Sequence, residues 1–289
     1  MESIGFIGAG RCARILLGGL ERAGKLPGTI IASDPSEAAR THLQQDHPFV
    51  RLVGADNLAA ARAEVVFLSL HPPVFETVMS EIAAVLRPEQ WVVSLAPKIT
   101  LARLTAGLGG HARVARFLPN APSIVNRGHN PLAIAETAPP EARASLRALL
   151  SHLGTVVEVP EAKIEAYALT AAMGPTYHWF QWQELIRLAE QYGMTADQAR
   201  AAVREMLQGA LTTFFDTGIP EDTVMDLVPV RPLAEDEETI RTFYRTRLAT
   251  IRARITPDGH SMAPRTAAET TLPREEACEA VSARIDTIS

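Results

Sequence analysis

Ser3-Ile4-Gly5-Phe6-Ile7-Gly8-Ala9-Gly10-Arg11-Cys12-Ala13 opens the chain, and Thr29-Ile30-Ile31-Ala32-Ser33-Asp34 answers it after one helix length. Ile4, Phe6 and Ile7 make an apolar run too brief for a helix and long enough for a strand. Gly8 to Ala13 then reads G-x-G-x-x-A. In that pattern the first glycine turns the chain tightly and the second leaves no Cβ between backbone and pyrophosphate. The small third residue lets the following helix lie close on a sheet. Ile15, Leu16, Leu17 and Leu20 give that helix its apolar face, and Gly24 ends it. Its free N-terminal amides and dipole form an anion site. Asp34 closes the second apolar run about twenty residues past the fingerprint, where an acid bonds a ribose hydroxyl. The stretch therefore predicts a dinucleotide site built from Gly8, Gly10, Arg11, Cys12, Ala13, Ser33 and Asp34. Asp34 would repel a 2′-phosphate and leans the choice to NADH, whereas Ser33, Ser36 and Arg11 are the residues able to serve NADPH.

Working outward, strand-like and helix-like segments alternate. Glu37 to Gln45 reads as a helix, Phe49 to Val53 as a short strand and Leu58 to Arg62 as a short helix. Val65 to Leu70 is a continuous apolar run, as expected of a parallel strand covered on both faces. It ends in His71-Pro72-Pro73. Helix Val74 to Leu86, strand Trp91 to Leu95, helix Leu101 to Leu108 and strand Arg113 to Phe117 follow. Repeated β-α-β predicts an α/β fold with a doubly wound parallel sheet. Pro131 to Ala135 and Thr155 to Val159 read as edge strands around a helix from Pro140 to Leu153.

From Pro160 the period becomes helical. Glu161 to Tyr192 is one long helix interrupted at Gly174-Pro175, Thr195 caps a helix from Ala196 to about Phe215, and Glu221 to Leu227 is a helical turn. Leu233 to Ile255 carries acids in its first turn and arginines at its end, complementing the helix dipole. The expected division is a nucleotide-binding domain over 1–159, an all-helical dimerisation and substrate domain over 160–255, and a polar tail over 256–289. Trp179, Phe180, Trp182, Leu185, Phe214 and Phe215 are more apolar surface than a small helical domain hides, which predicts a homodimer.

Composition narrows the classes. Of 289 residues, 21% are charged, and the net charge of −5 supplies no field that would draw nucleic acid or anionic lipid. No stretch approaches the roughly 20 apolar residues that span a bilayer. The first strand begins almost at once, with no basic leader, and two cysteines make neither a disulfide framework nor a metal cluster. A cytoplasmic protein without a metal is expected.

Leu118-Pro119-Asn120-Ala121-Pro122 and Gly174-Pro175-Thr176-Tyr177 carry a family likeness. The chain resembles the pyrroline-5-carboxylate reductases, the last enzymes of proline synthesis, from Ser3 to about Ile219. The opening glycine turn resembles their nucleotide loop, His71-Pro72 stands where they have Lys-Pro, and the two motifs resemble their M-P-N-T-P and G-P-A-Y. The resemblance implies a Rossmann domain followed by helices that interlock two subunits, and hydride delivery from NAD(P)H to a cyclic imine. It departs at two places. Ala171-Ala172-Met173-Gly174-Pro175 replaces S-G-S-G-P, and Leu227-Val228-Pro229-Val230-Arg231-Pro232 replaces the T-S-P-G-G-T-T grip on the substrate carboxylate.

Reducing an iminium needs alignment more than acid–base machinery. Asn120 is a candidate for the nicotinamide carboxamide or the substrate, at a strand's carboxyl end, or else closes a turn between prolines. Tyr177 and His178 are candidates for proton donation, or else pack an interface. His71 and Pro72 are expected to line the cofactor. Met173, Gly174 and Thr176 are expected along the substrate, with the Arg231 fork on a substrate carboxylate. Two functions compete: an NAD(P)H-dependent reductase of a C=N or C=O compound, and a nucleotide-binding regulatory protein that has lost turnover. Calorimetric titration checks the cofactor reading: the chain should bind NADH more tightly than NADPH, and Asp34→Ser should narrow or reverse the difference by removing the repulsion.

Overall fold

The first apolar run becomes β1 (Ser3–Ile7), and the sheet grows outward from it on both sides. The structure is a computed structural model and describes residues 1–257. The expected tail over 256–289 lies outside the described residues apart from its first two. In chain order β1 is followed by α1 (Arg11–Arg22), β2 (Thr29–Ser33), α2 (Glu37–Asp46), β3 (Arg51–Leu52), α3 (Asn57–Ala60) and β4 (Val65–Leu68). Then come α4 (Phe75–Ala83), β5 (Trp91–Ser94), α5 (Leu101–Gly107), β6 (Val114–Phe117), β7 (Gly128–Ile134), α6 (Pro140–Ser151) and β8 (Gly154–Glu158). The strand order is β3-β2-β1-β4-β5-β6-β7-β8, so the winding reverses between β1 and β4. Buried apolar residues fill both faces, with Phe6, Leu16, Phe67 and Phe117 on one and Ile7, Leu68, Phe75 and Ile82 on the other.

The sheet is mixed. β7 runs antiparallel to β6 and parallel to β8. Pro131 therefore sits in an interior strand, whereas an edge position was expected of it. The ladder to β6 begins only at Leu132, opposite Phe117, so the proline's missing N–H falls just past the paired residues. Its carbonyl is still used, accepting from Leu118 N at 3.2 Å.

After Glu158 the described chain is all helical: α7 (Ile164–Tyr167), α8 (Pro175–Gln191), α9 (Ala196–Asp216), α10 (Glu221–Asp226) and α11 (Glu237–Ile255). Thr195 and Gln198 cap α9 reciprocally, in a capping box. The long helix expected over Glu161 to Tyr192 is instead four pieces. A 3-10 turn at Glu161–Lys163 leads into α7, and a π-helical turn at Ala168–Ala172 precedes α8. α11 starts at Glu237 rather than Leu233, because Leu233 and Asp236 close a tight turn on each other (Asp236 N to Leu233 O, 3.0 Å).

The junction between sheet and helices is ionic. Arg116 on β6 has no exposed surface, and its guanidinium donates to Glu161 Oε1 at 3.0 Å and Glu165 Oε1 at 2.5 Å. Glu161 Oε1 also accepts from Leu101 N at 2.6 Å, which ties in the start of α5. Removing one partner of such a buried set strands the other charges without compensation. Arg116→Ala should lower unfolding stability by about 3–5 kcal/mol in chemical denaturation, whereas an exposed pair such as Arg187–Glu184 should contribute less than about 1 kcal/mol.

Candidate active site

The carboxyl ends of β1, β2 and β4 meet at the point where the sheet reverses direction, the usual ligand crevice of open α/β sheets. Gly8 holds φ +102°, and a Cβ there would stand 2.3 Å from Ser69 O at the end of β4. Only glycine fits so close an approach. Gly8 N donates to Ser33 O at 2.8 Å, which closes the turn against β2. Gly10 is different: its backbone is extended, and a Cβ built on it meets nothing within 4 Å. Packing therefore does not require glycine there, and the open space leaves its backbone accessible to a ligand. Gly10 caps α1 without a side-chain bond, and no acid lies in the first turn. The turn's free amides and positive dipole end therefore face the crevice, and these residues fit the pyrophosphate of a dinucleotide.

Asp34 follows β2 and is half-buried. Its Oδ2 accepts from Ala9 N at 2.8 Å and its Oδ1 from Ser36 N at 2.8 Å. The acid thus grips the glycine turn while lying at its rim. Arg40 donates to the Asp34 carbonyl at 2.5 Å. Ser33, expected among the cofactor contacts, is fully buried, and its hydroxyl donates to Asn57 Oδ1 at 2.9 Å. Alternation along β2 turns it inward, so its side chain does not reach the crevice. Cys12 packs against the core. Burial pushes its thiol up, opposed by the Arg11 charge, so it is a packing residue rather than a thiolate. Ala13 is buried beneath the helix, and Arg11 is exposed in its first turn. His71 is exposed just past β4, and its carbonyl accepts from Val74 N as the 3-10 turn Pro72–Val74 begins.

Asn120 is 7% exposed and its side chain is engaged within the protein. Oδ1 accepts from His129 N at 3.3 Å and from Ser123 Oγ at 3.5 Å, and Nδ2 donates to Ala171 O at 3.4 Å. Its own amide donates to Asn130 Oδ1 at 3.0 Å. Asn120 therefore pins the loop after β6 to the π-helical turn. Sequence reading missed Asn130 and Ser123, both fully buried; the signal available was polar residues inside an otherwise apolar strand and turn.

The π-helical turn organises the remaining candidates. Tyr177 O–H donates to Leu169 O at 2.6 Å, and burial pushes its phenol above the ordinary value, with Tyr244 adding to the shift. Its proton is held by a backbone carbonyl. His178 is exposed and stacks on Trp182, with ring centroids 6.3 Å apart. A Cβ on Gly174 would stand 2.3 Å from Thr170 O, so that glycine is required by the turn itself. Met173 O accepts from both Thr176 N and Thr176 Oγ, at 2.9 and 2.6 Å. Arg231, expected on a substrate carboxylate, is exposed and its guanidinium is ion-paired with Glu237.

Comparison with known proteins places the chain among relatives of one kind. A family model described as NADP oxidoreductase coenzyme F420-dependent matches residues 3–98. The chain is 32% identical over 209 residues to a pyrroline-5-carboxylate reductase of Pseudomonas aeruginosa, covering 72% of this chain and 76% of that one. It is 27% identical to the Escherichia coli protein of the same name, covering 78% and 84%. Among solved structures, pyrroline carboxylate reductase of Plasmodium falciparum with NADP bound superposes with a TM-score of 0.73 at 16% identity, covering 88% of this chain and 97% of that one. The Coxiella burnetii pyrroline-5-carboxylate reductase gives 0.63 at 26%, covering 88% and 94%.

The two glycines of the turn should separate on substitution. Gly8→Ala should cost about 2–4 kcal/mol of stability through strain and the clash with Ser69 O. Gly10→Val should leave the denaturation midpoint nearly unchanged yet abolish calorimetric binding of the nucleotide, because its side chain fills only that open space.

Proposed function

The chain belongs to the pyrroline-5-carboxylate reductase family, and from that premise we propose that it reduces the C=N bond of a small cyclic imine. It is an NAD(P)H-dependent oxidoreductase of that family. The observation that carries the reading is the intact phosphate turn: Gly10 with open space above it, uncapped first-turn amides of α1, and Asp34 at the rim. When bound, a reduced nicotinamide supplies the hydride to the imine carbon. The chain's own residues hold the two partners in line and exclude water, which supplies most of what such a reaction needs. Residues Gly8, Gly10, Arg11, Ala13, Asp34, His71 and Pro72 are assigned to the cofactor, with Asp34 favouring NADH.

The substrate assignment rests on what replaces the family's carboxylate grip. Val230 brings a Cβ where glycine would let amides reach an anion, and Pro229 and Pro232 donate nothing. Ala171, Ala172 and Met173 make the other wall apolar. A bulkier or less polar imine than pyrroline-5-carboxylate is therefore the preferred substrate. The proposed division is a nucleotide domain over 1–159 and a helical substrate and dimerisation domain over 160–255. Support for the dimer comes from the helices themselves. α8, α10 and α11 bury no residue fully, and Phe180, Phe215 and Val230 are 63%, 71% and 73% exposed. A second copy of the chain is the occupant that would cover them.

Loss of nicotinamide absorbance with a panel of cyclic imines and 2-oxo acids with ammonia tests the activity. Pyrroline-5-carboxylate should turn over well below a normal enzymatic rate of about 10 per second, and a less polar imine should do better. Intact nucleotide binding without turnover of any compound would favour a regulatory protein instead. Light scattering at micromolar concentration should give twice the chain mass, and a monomer would exclude the proposed assembly.

A further inference from the structure

β7 starts beyond the carboxyl end of β6, and its second residue is His129, exposed at that edge. Two contacts tie this histidine to the loop after β6 and to α7. Its backbone N donates to Asn120 Oδ1, so it is fastened to the loop that follows β6. Its ring stacks on Tyr167, with centroids 5.9 Å apart and planes inclined by 22°. Tyr167 is the last residue of α7, immediately before the π-helical turn that Asn120 also holds. The titratable candidates read from the sequence are differently disposed: the Tyr177 proton is held by Leu169 O, and His178 lies against Trp182 on α8.

We propose that His129, held by Tyr167 and Asn120, is a catalytic proton donor to the nitrogen or oxygen of the substrate double bond. The proposal rests on the reductase reading. As the hydride forms the new C–H bond, the π electrons of C=N move to nitrogen, which takes a proton from the His129 imidazolium. The products are an amine, the oxidised nicotinamide and a neutral imidazole that recovers its proton from solvent. A carbonyl substrate would give an alcohol by the same balance. An imidazole suits this task because it titrates near neutral pH. Around it, Tyr167 of α7 is in ring contact, Arg127 precedes it in the chain, and Thr155 of β8 lies opposite in register. Arg116 of β6 and Glu165 of α7 are paired with each other.

Two measurements test this. The first needs no turnover. The pKa of the His129 imidazole is followed by nuclear magnetic resonance in complexes with the oxidised and the reduced nucleotide. The two forms carry the same phosphates and differ by one positive charge on the nicotinamide ring. Beside that ring, His129 should titrate about half a unit or more lower in the oxidised complex; equal values, or no binding of either form, overturn the proposal. The second compares wild type with His129→Gln on whichever imine is turned over. Wild-type kcat should fall as pH rises through the imidazole pKa, and His129→Gln should lose at least tenfold at neutral pH together with that limb. An unchanged profile overturns the donor role. If no compound is turned over, the reductase reading fails, and the titration alone decides whether His129 adjoins the nicotinamide.

Discussion

A guanidinium with no exposed surface lies in the middle of β6, and the placement of everything after Glu158 depends on how it is satisfied. Burying that charge is expensive, so the chain has to return two carboxylates to it from 45 and 49 residues away. Glu161 and Glu165 do this from a 3-10 turn and α7, one helical turn apart, so both face the same way. Once they are seated, α7 has one position over the sheet, and the π-helical turn after it comes to rest against Asn120. The ion cluster thereby holds α7 against β6, and Asn120 holds the π-helical turn that follows it.

The widened turn then fixes the chemistry-bearing residues around it. A π-helical turn leaves carbonyls poorly matched to the ladder of an α-helix, and such turns recur at functional sites. The Leu169 and Ala171 carbonyls find partners in Tyr177 O–H and Asn120 Nδ2. Tyr177 and Asn120 are therefore engaged in supporting the backbone, whereas His178 and His129 are exposed.

Much of the nucleotide half was legible because its signals are local. Val65 to Leu68 and Trp91 to Ser94 are continuous apolar runs, and the glycine turn has a fixed spacing. What escaped was set at long range. An apolar run such as Pro131 to Ile134 looks the same whichever way its neighbour runs, so neither its antiparallel pairing to β6 nor its interior place could be read. Ala168 to Ala172 contains no residue that breaks a helix, and the π-helical turn there answers to Asn120, some fifty residues earlier. Arg116 was visible in its strand, but its acids were not. Of the residues expected in the site, Ser33 is turned into the core and Arg231 is paired with Glu237.

On the proposed cofactor reading, Asp34 carries two duties on one carboxylate. The oxygens that would meet a ribose also accept from Ala9 N and Ser36 N, so they hold the glycine turn and the start of α2 in place. Coenzyme preference and the rigidity of the phosphate turn are thereby coupled through a single side chain. Redesign of this chain toward a phosphorylated coenzyme cannot simply delete the acid, because the Ala9 amide would be left half-buried without an acceptor. A workable redesign has to introduce a neutral acceptor for that amide at the same time as a cation for the phosphate.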